Sequence, residues 1–263
     1  MKNDYISPMK EAALAAGKML RDEQLEAESI DQNYKDFVTQ QDLKSESKIL
    51  EILGEAFPEI PAYSEEAGGE FSQEGLRWVI DPLDGTISYY KGNPEWGVSI
   101  ALIENGVSVA GVVYLPIARQ LFSATIDTPT EMTEDGSDKI VHPKVSVKTE
   151  LTRCNVAFDY GKPGLANPPE NPFWQIMEKM RRIGIHGQIP TSSTAYFMKM
   201  VSGEIDGIIG QPDPFDTAAS GLILKKAGGR VTDFRGNDWK CYANRTLATN
   251  GKIHNQLLSI LND

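Results

Sequence analysis

Cysteine is almost missing from this 263-residue chain: Cys154 and Cys241 are the only two, far apart and in no CxxC arrangement. That excludes a disulfide framework and a thiolate zinc site, and it fits a reducing compartment. The three histidines, His142, His186 and His254, stand alone without ligand spacing, so each reads as a surface or packing residue. No segment approaches the roughly 20 apolar residues of a membrane span, and the N-terminal stretch has no long apolar core; a cytoplasmic location away from the membrane is expected. Positive charge is also short. Lys and Arg number 26 against 37 Asp and Glu, a formal net charge of -11. This argues against nucleic acid as a partner and favours small, metal-chelated anions.

What is present alternates between helical and strand-like patterns. Ser7-Pro8 marks a helix start, and Ile6, Met9, Ala12, Ala13, Ala16 and Leu20 form its apolar stripe to about Leu25. Leu43, Leu50 and Phe57, with Leu53 between, predict a second helix stopped by Pro58. From Arg77 the period becomes strand-like, and Glu104-Asn105-Gly106 joins Val98–Ile103 to Val107–Leu115 as a hairpin. Residues 125–144, rich in Thr, Asp, Glu, Gly and Pro, read as a surface connection between two halves. Beyond it, Asn171-Pro172 opens a helix with Phe173, Trp174, Met177 and Met180 on its core side, and Ser193 to Val201 forms another. A buried strand at 205–209 leads to Asp213-Pro214-Phe215-Asp216, a helix from Thr217 to Ala227 and a terminal helix from about Lys252 to Leu261.

Carboxylates gather where strands hand over to turns. Asp81 and Asp84 follow the apolar run Trp78-Val79-Ile80, with Gly85 and Thr86 directly after them. Two acids three residues apart can face one point from such a turn, and Mg²⁺ takes oxygen ligands while binding substrate phosphates. Glycine lets backbone N–H groups approach an anion closely. Taken singly, Asp81 and Asp84 could cap the turn, Glu65-Glu66 could be a solvated loop, and Asp216 could be the N-cap of the helix from Thr217. Together they could converge on a metal.

The set Asp36-Phe37-Val38-Thr39…Asp42, Glu65-Glu66, Asp81-Pro82-Leu83-Asp84-Gly85-Thr86 and Asp216-Thr217-Ala218-Ala219 resembles the inositol monophosphatase family in order, spacing and flanking residues. The resemblance implies an α+β fold, a layered α-β-α-β-α sandwich of the inositol monophosphatase / fructose-1,6-bisphosphatase type. It would be a single phosphatase unit in two closely packed lobes: approximately 1–145, with the DPLDGT motif and the metals, and 146–263, the substrate side. It further implies a lithium-sensitive, Mg²⁺-dependent phosphomonoesterase with two or three ions per site, working as a homodimer. Residue by residue, Glu65, Asp81, Asp84, Asp216 and the Leu83 carbonyl would hold Mg²⁺. Thr86 with Asp42 would orient and deprotonate a water, with Glu65 also on the catalytic side. The N–H groups of Gly85 and Thr86 would receive phosphate oxygens, while Ser193, Thr194 and Asp216 would face the substrate; Asp213, outside the family pattern, could contact a substrate hydroxyl or be a solvated loop acid.

Departures from the family pattern fall on the substrate side. Phe215, preceded by Pro214, stands where Trp is common, and Ile209 where inositol-type members carry an acid. The expected substrate is a small phosphate monoester, first of all inositol 1-phosphate. Histidinol phosphate, fructose 1,6-bisphosphate and 3′-phosphoadenosine 5′-phosphate are rivals, and a non-catalytic role in binding a phosphometabolite or protein is the alternative of another class.

Overall fold

In the computed structural model, residues 4–26, 29–31, 38–69, 72, 74–159, 172–240, 243 and 245–262 are described. Asp36, Phe37, Asn171 and Cys241, and the Phe173 side chain, lie outside them. The chain begins with α1 (Ile6–Glu23), then β1 (Ser29–Asp31), β2 (Val38–Thr39) and α2 (Gln40–Ala56). β3 (Ala62–Ser64), β4 (Leu76–Asp84), α3 (Thr86–Tyr90), β5 (Gly97–Glu104), β6 (Val107–Leu115), β7 (Gln120–Thr125) and β8 (Glu131–Glu134) follow. The remainder holds β9 (Asn155–Asp159), α4 (Pro172–Ile183), β10 (His186–Gln188), α5 (Ser193–Val201), β11 (Gly207–Gly210), α6 (Pro214–Lys226), β12 (Arg230–Thr232), β13 (Thr246–Thr249) and α7 (His254–Asn262).

Side-chain alternation along the strands builds the layers. In β4, Trp78 and Ile80 face one way, onto Met9, Ala12, Ala16, Ile49 and Leu53 of α1 and α2. Val79 faces the other way, into a cluster with Phe197 of α5 and Ala218, Ala219 and Ile223 of α6. The same period divides the second sheet: Ile208 and Ala248 join the α5/α6 cluster, whereas Ile209 and Leu247 pack with Ile176 and Met180 of α4 and Leu257 of α7. The order is helices, six-stranded sheet, helices, five-stranded sheet, helices: an α+β, α-β-α-β-α sandwich. The six-stranded sheet runs β3-β4-β5-β6-β7-β8 and the five-stranded one β10-β9-β11-β13-β12. Because α6 lies between two sheets, it is apolar around most of its girth. At Gly111 of β6 an added Cβ would stand 3.0 Å from the backbone of Ala219, so glycine sets how closely this helix approaches the sheet.

Several boundaries differ from the sequence reading for identifiable reasons. α1 starts at Ile6 rather than Ser7-Pro8, because the Asp4 carboxylate accepts the Ser7 N–H at 3.1 Å and its hydroxyl at 2.5 Å. The hairpin at Asn105-Gly106 is as expected, both residues having positive φ, 49° and 78°. Residues 125–144 are not only a connection, since β8 extends the sheet edge and the Thr130 hydroxyl donates to the Ile223 carbonyl at 2.6 Å. α6 begins at Pro214, not Thr217. Trp174 is 49% exposed instead of core, because α4 is an outer helix that buries only the face carrying Ile176 and Met180.

The face of α2 also departs from expectation. Leu43 is 43% exposed, and the buried residues of the first two turns are Gln41, Asp42, Ser45 and Glu46, followed by Ile49 and Leu53. The helix turns polar groups inward at one end and apolar groups inward at the other. Its polar end abuts the acidic turns.

Candidate active site

β4 runs through Asp81-Pro82-Leu83-Asp84 instead of stopping before it. Strict alternation would put residues three apart on opposite faces. The pairing with β5 shifts there: Asp81 lies opposite Ser99 and Asp84 opposite Gly97, three steps against two. This is a β-bulge of one extra residue, and it turns both carboxylates to one side. Pro82, which has no N–H for the ladder, is suited to this position. The Leu83 N–H donates to Asp81 at 3.0 Å, and the Ser45 hydroxyl of α2 donates to the Pro82 carbonyl at 2.7 Å.

Gly85 ends the strand with φ 89°, and an added Cβ would meet Ser192 Cβ at 2.9 Å and the Glu95 carbonyl at 3.0 Å. Only glycine lets this turn sit against the start of α5. There, Ser192 caps the helix by accepting the Ala195 N–H at 3.1 Å, while its hydroxyl donates to Asp84 at 2.6 Å. The Thr194 N–H also donates to Asp84, at 2.5 Å; Thr194 itself is fully buried. Ser193 donates to Asp159 at 2.6 Å.

Asp216 occupies the third position of α6 in a capping box with Asp213, and it accepts the Asp213 N–H at 3.2 Å. Asp213 is therefore the helix N-cap, a role the sequence had suggested for Asp216. Asp42 has the same standing in α2, where Thr39 is the N-cap: its Oδ2 accepts the Thr39 N–H at 2.8 Å and the Thr39 hydroxyl at 2.5 Å. Its other oxygen is 3.1 Å from the Thr86 hydroxyl, which also lies 3.0 Å from the Leu83 carbonyl. The Tyr63 and Phe215 rings stack at 4.6 Å, holding the segment before Glu65 against the segment before Asp216.

Oxygen atoms of Asp81, Asp84 and Asp216 all lie within 4.8 Å of one another. Burial pushes Asp81 and Asp216 well above the usual carboxylate range, and neighbouring acids add to it: Glu65 then Asp84 for Asp81, Asp84 then Glu65 for Asp216. Burial also raises Asp84, although the Ser192 and Thr194 hydrogen bonds pull the other way, and Asp159 contributes further repulsion. Such a set of hard oxygen donors, raised by desolvation and mutual repulsion, fits a divalent cation such as Mg²⁺. Asp42, almost fully buried, is pushed up to about 6 by desolvation, against the pull of its bonds to Thr39 and Thr86.

The structure thus brings Asp42, Asp81, Leu83, Asp84, Gly85, Thr86 and Asp216 together, with Glu65 close enough to act electrostatically on Asp81 and Asp216. From α5, Thr194, expected on the substrate side, is instead fully buried with its N–H on Asp84, and Ser193 donates to Asp159. Ile209 is buried among apolar side chains on the far face of its sheet. The sequence reading passed over Asp159, at the end of β9, where Gly210 of the neighbouring strand leaves it room. It also passed over Ser45 and Glu46, whose one signal is their i+3 and i+4 spacing from Asp42.

Known proteins resemble the chain over most of its length. Residues 2–263 match the model of the inositol monophosphatase family. The chain is 31% identical over 235 residues to the fructose-1,6-bisphosphatase/inositol-1-monophosphatase of Thermotoga maritima, covering 88% of this chain and 84% of that one. It is 29% identical over 265 residues to the putative Nus factor SuhB of Neisseria meningitidis serogroup B, covering 98% of both. Among solved structures, inositol monophosphatase from Anabaena (Nostoc) sp. superposes with a TM-score of 0.84 at 29% identity, over 98% of this chain and 94% of that one. With fold, acidic motifs and full-length similarity in agreement, the chain belongs to the inositol monophosphatase family.

Proposed function

We propose that the chain hydrolyses a small phosphate monoester with Mg²⁺, inositol 1-phosphate being the first substrate to test. The observation that carries this is the convergence of Asp81, Asp84 and Asp216 within 4.8 Å beside the Asp42–Thr86 pair. Asp81, Asp84, Asp216, Glu65 and the Leu83 carbonyl hold two or three Mg²⁺ ions. When bound, these supply charge neutralisation of the phosphate and leaving group and lower the pKa of water. Asp42 draws the Thr86 hydroxyl into position, and Thr86 orients the attacking water and passes its proton towards Asp42. The N–H groups of Gly85 and Thr86 take phosphate oxygens. Ser193 and Asp159, linked to each other beside Asp84, offer a hydroxyl and a carboxylate to the alcohol part of the ester. Asp213 is engaged as a helix cap, so its contribution is to set Asp216.

Histidinol phosphate, fructose 1,6-bisphosphate and 3′-phosphoadenosine 5′-phosphate share the same chemistry and are the rival substrates. Ile209, standing where inositol-type members carry an acid, shifts specificity away from the inositol-type pattern. Homodimerisation, lithium inhibition and a two-lobe organisation belong to the same proposal. No helix among the described residues is long and apolar enough to cross a membrane. A second reading comes from the relative named a putative Nus factor, which matches 98% of this chain: a binding role of the kind that name denotes, without catalysis. The Thr86 hydroxyl set against Asp42 favours hydrolysis, since a binding protein could dispense with that hydroxyl, whereas Asp42 also caps α2.

A phosphate-release panel over the four esters tests both readings, run with Mg²⁺, with chelator, and with Li⁺ added to Mg²⁺. The proposal expects chelator-sensitive release from at least one ester. Release from none by folded protein that still binds one of the esters or a protein partner would favour the binding reading.

A further inference from the structure

Glu46 lies one helical turn beyond Asp42 on the inward face of α2 and is 5% exposed. A carboxylate so far removed from water requires hydrogen-bond donors. Glu46 Oε1 has two: the Ser64 hydroxyl and the Ala67 N–H at 2.8 Å. These donors stand on either side of Glu65 and Glu66. The same turn is closed by reciprocal backbone bonds between Ser64 and Gly68, at 2.9 and 3.0 Å, and the Glu65 N–H is tied to the Ile80 carbonyl of β4 at 3.1 Å. The turn carrying Glu65 is thus pinned on one side by β4 and on the other by Glu46, while Ser45 pins Pro82 and Asp42 meets Thr86 from the same helix face.

We infer that Glu46 is a positioning residue that presents Glu65 to the carboxylates of Asp81 and Asp216 by gripping Ser64 and Ala67. This rests on the proposed role of Glu65 as a metal-holding acid. Glu46 acts through two acceptor bonds on one oxygen, which a glutamine amide oxygen can also accept. Its charge is not what the turn requires; its acceptor is.

The test is calorimetric titration of Mg²⁺ alone into the metal-stripped full chain, without substrate, for wild type, E46A, E46Q, S64A, E65Q and the double variant E46A/E65Q. Urea unfolding establishes that each is folded. Losing a group that orients a ligand typically weakens metal affinity by about 10- to 100-fold, and E46A is expected in that range. E46Q should stay close to wild type, and S64A should fall between them. If Glu46 acts through Glu65, the double variant should bind Mg²⁺ no more weakly than E65Q. S64A combined with E65Q gives the same comparison should E46A not fold. Wild-type binding by E46A, losses that multiply in the double variant, or E46Q falling as far as E46A would each overturn the inference. If E65Q itself binds Mg²⁺ like wild type, the assignment of Glu65 fails and the inference with it; a loss in E65Q but not in E46A refutes the positioning role alone.

Discussion

The Thr86 hydroxyl stands 3.1 Å from Asp42 Oδ1 and 3.0 Å from the Leu83 carbonyl, one proton between two acceptors. A hydroxyl cannot donate to both at once. When it donates to Leu83, its lone pairs face Asp42; when it donates to Asp42, the lone pairs are open to a proton arriving from a water. Asp42, held near pKa 6 by burial, is suited to exchange that proton at neutral pH.

Thr86→Ala removes this link while leaving the carboxylates in place. The turnover number should fall by about 100-fold, within the range for lost proton-transfer assistance. KM and the urea midpoint should change little. Steady-state kinetics with a responsive ester provide the check, and an unchanged turnover number would leave Asp42 as helix cap only.

Ser192→Ala should have a double effect. Ser192 both caps α5 and donates to Asp84. Losing the cap should cost about 1 kcal/mol in urea unfolding. Freeing Asp84 should raise the Mg²⁺ concentration needed for half-maximal activity by about tenfold. A stability loss with no change in Mg²⁺ dependence would show that Ser192 serves the helix alone.

Acid should act on two buried groups in opposite directions. The Asp42 pKa is about 6 in the fold against an ordinary value of 3.8, so between these values the folded state binds more protons than the unfolded one. Its contribution to stability therefore rises as pH falls, by about 1 kcal/mol from pH 7 to pH 5. His254, fully buried between the Thr232 and Thr249 hydroxyls, is depressed from 6.5 to about 4 by desolvation. The unfolded state takes up its proton first, so this contribution falls by about 2 kcal/mol over the same interval. Urea unfolding of metal-stripped wild type and Asp42→Asn at both pH values separates them, because the His254 effect cancels in the difference. The advantage of wild type over the variant should grow on acidification; a constant difference would contradict the burial of Asp42.

Much of this site is legible in the sequence because its chemistry is local. Asp81-Pro82-Leu83-Asp84-Gly85-Thr86 contains its own ligands, its proline for the bulge and its glycine for the positive-φ turn. The helix starts are written in Thr39…Asp42 and Asp213…Asp216, two capping boxes with Asp at the third position, although the second is easily misplaced by three residues when Pro214 is read as part of a loop. What stays hidden depends on tertiary partners. The bulge that brings Asp81 and Asp84 to one side appears only in the register with β5. The inward face of α2 defeats hydrophobic periodicity, since Asp42, Ser45 and Glu46 are buried by the turns they hold while Leu43 is exposed. Trp174 is misread for the complementary reason, because an outer helix leaves even a large aromatic at the surface.

The most direct measurement is phosphate release from inositol 1-phosphate by metal-stripped protein as Mg²⁺ is restored, wild type beside Asp84→Asn, with the rival esters substituted if that substrate is inert. The variant keeps side-chain size and removes one charged donor from the set formed with Asp81 and Asp216. No release is expected without Mg²⁺, saturable recovery in wild type, and none in the variant at the same Mg²⁺ concentrations. Release that survives chelation, or equal recovery in Asp84→Asn, would contradict Mg²⁺-dependent hydrolysis at this site.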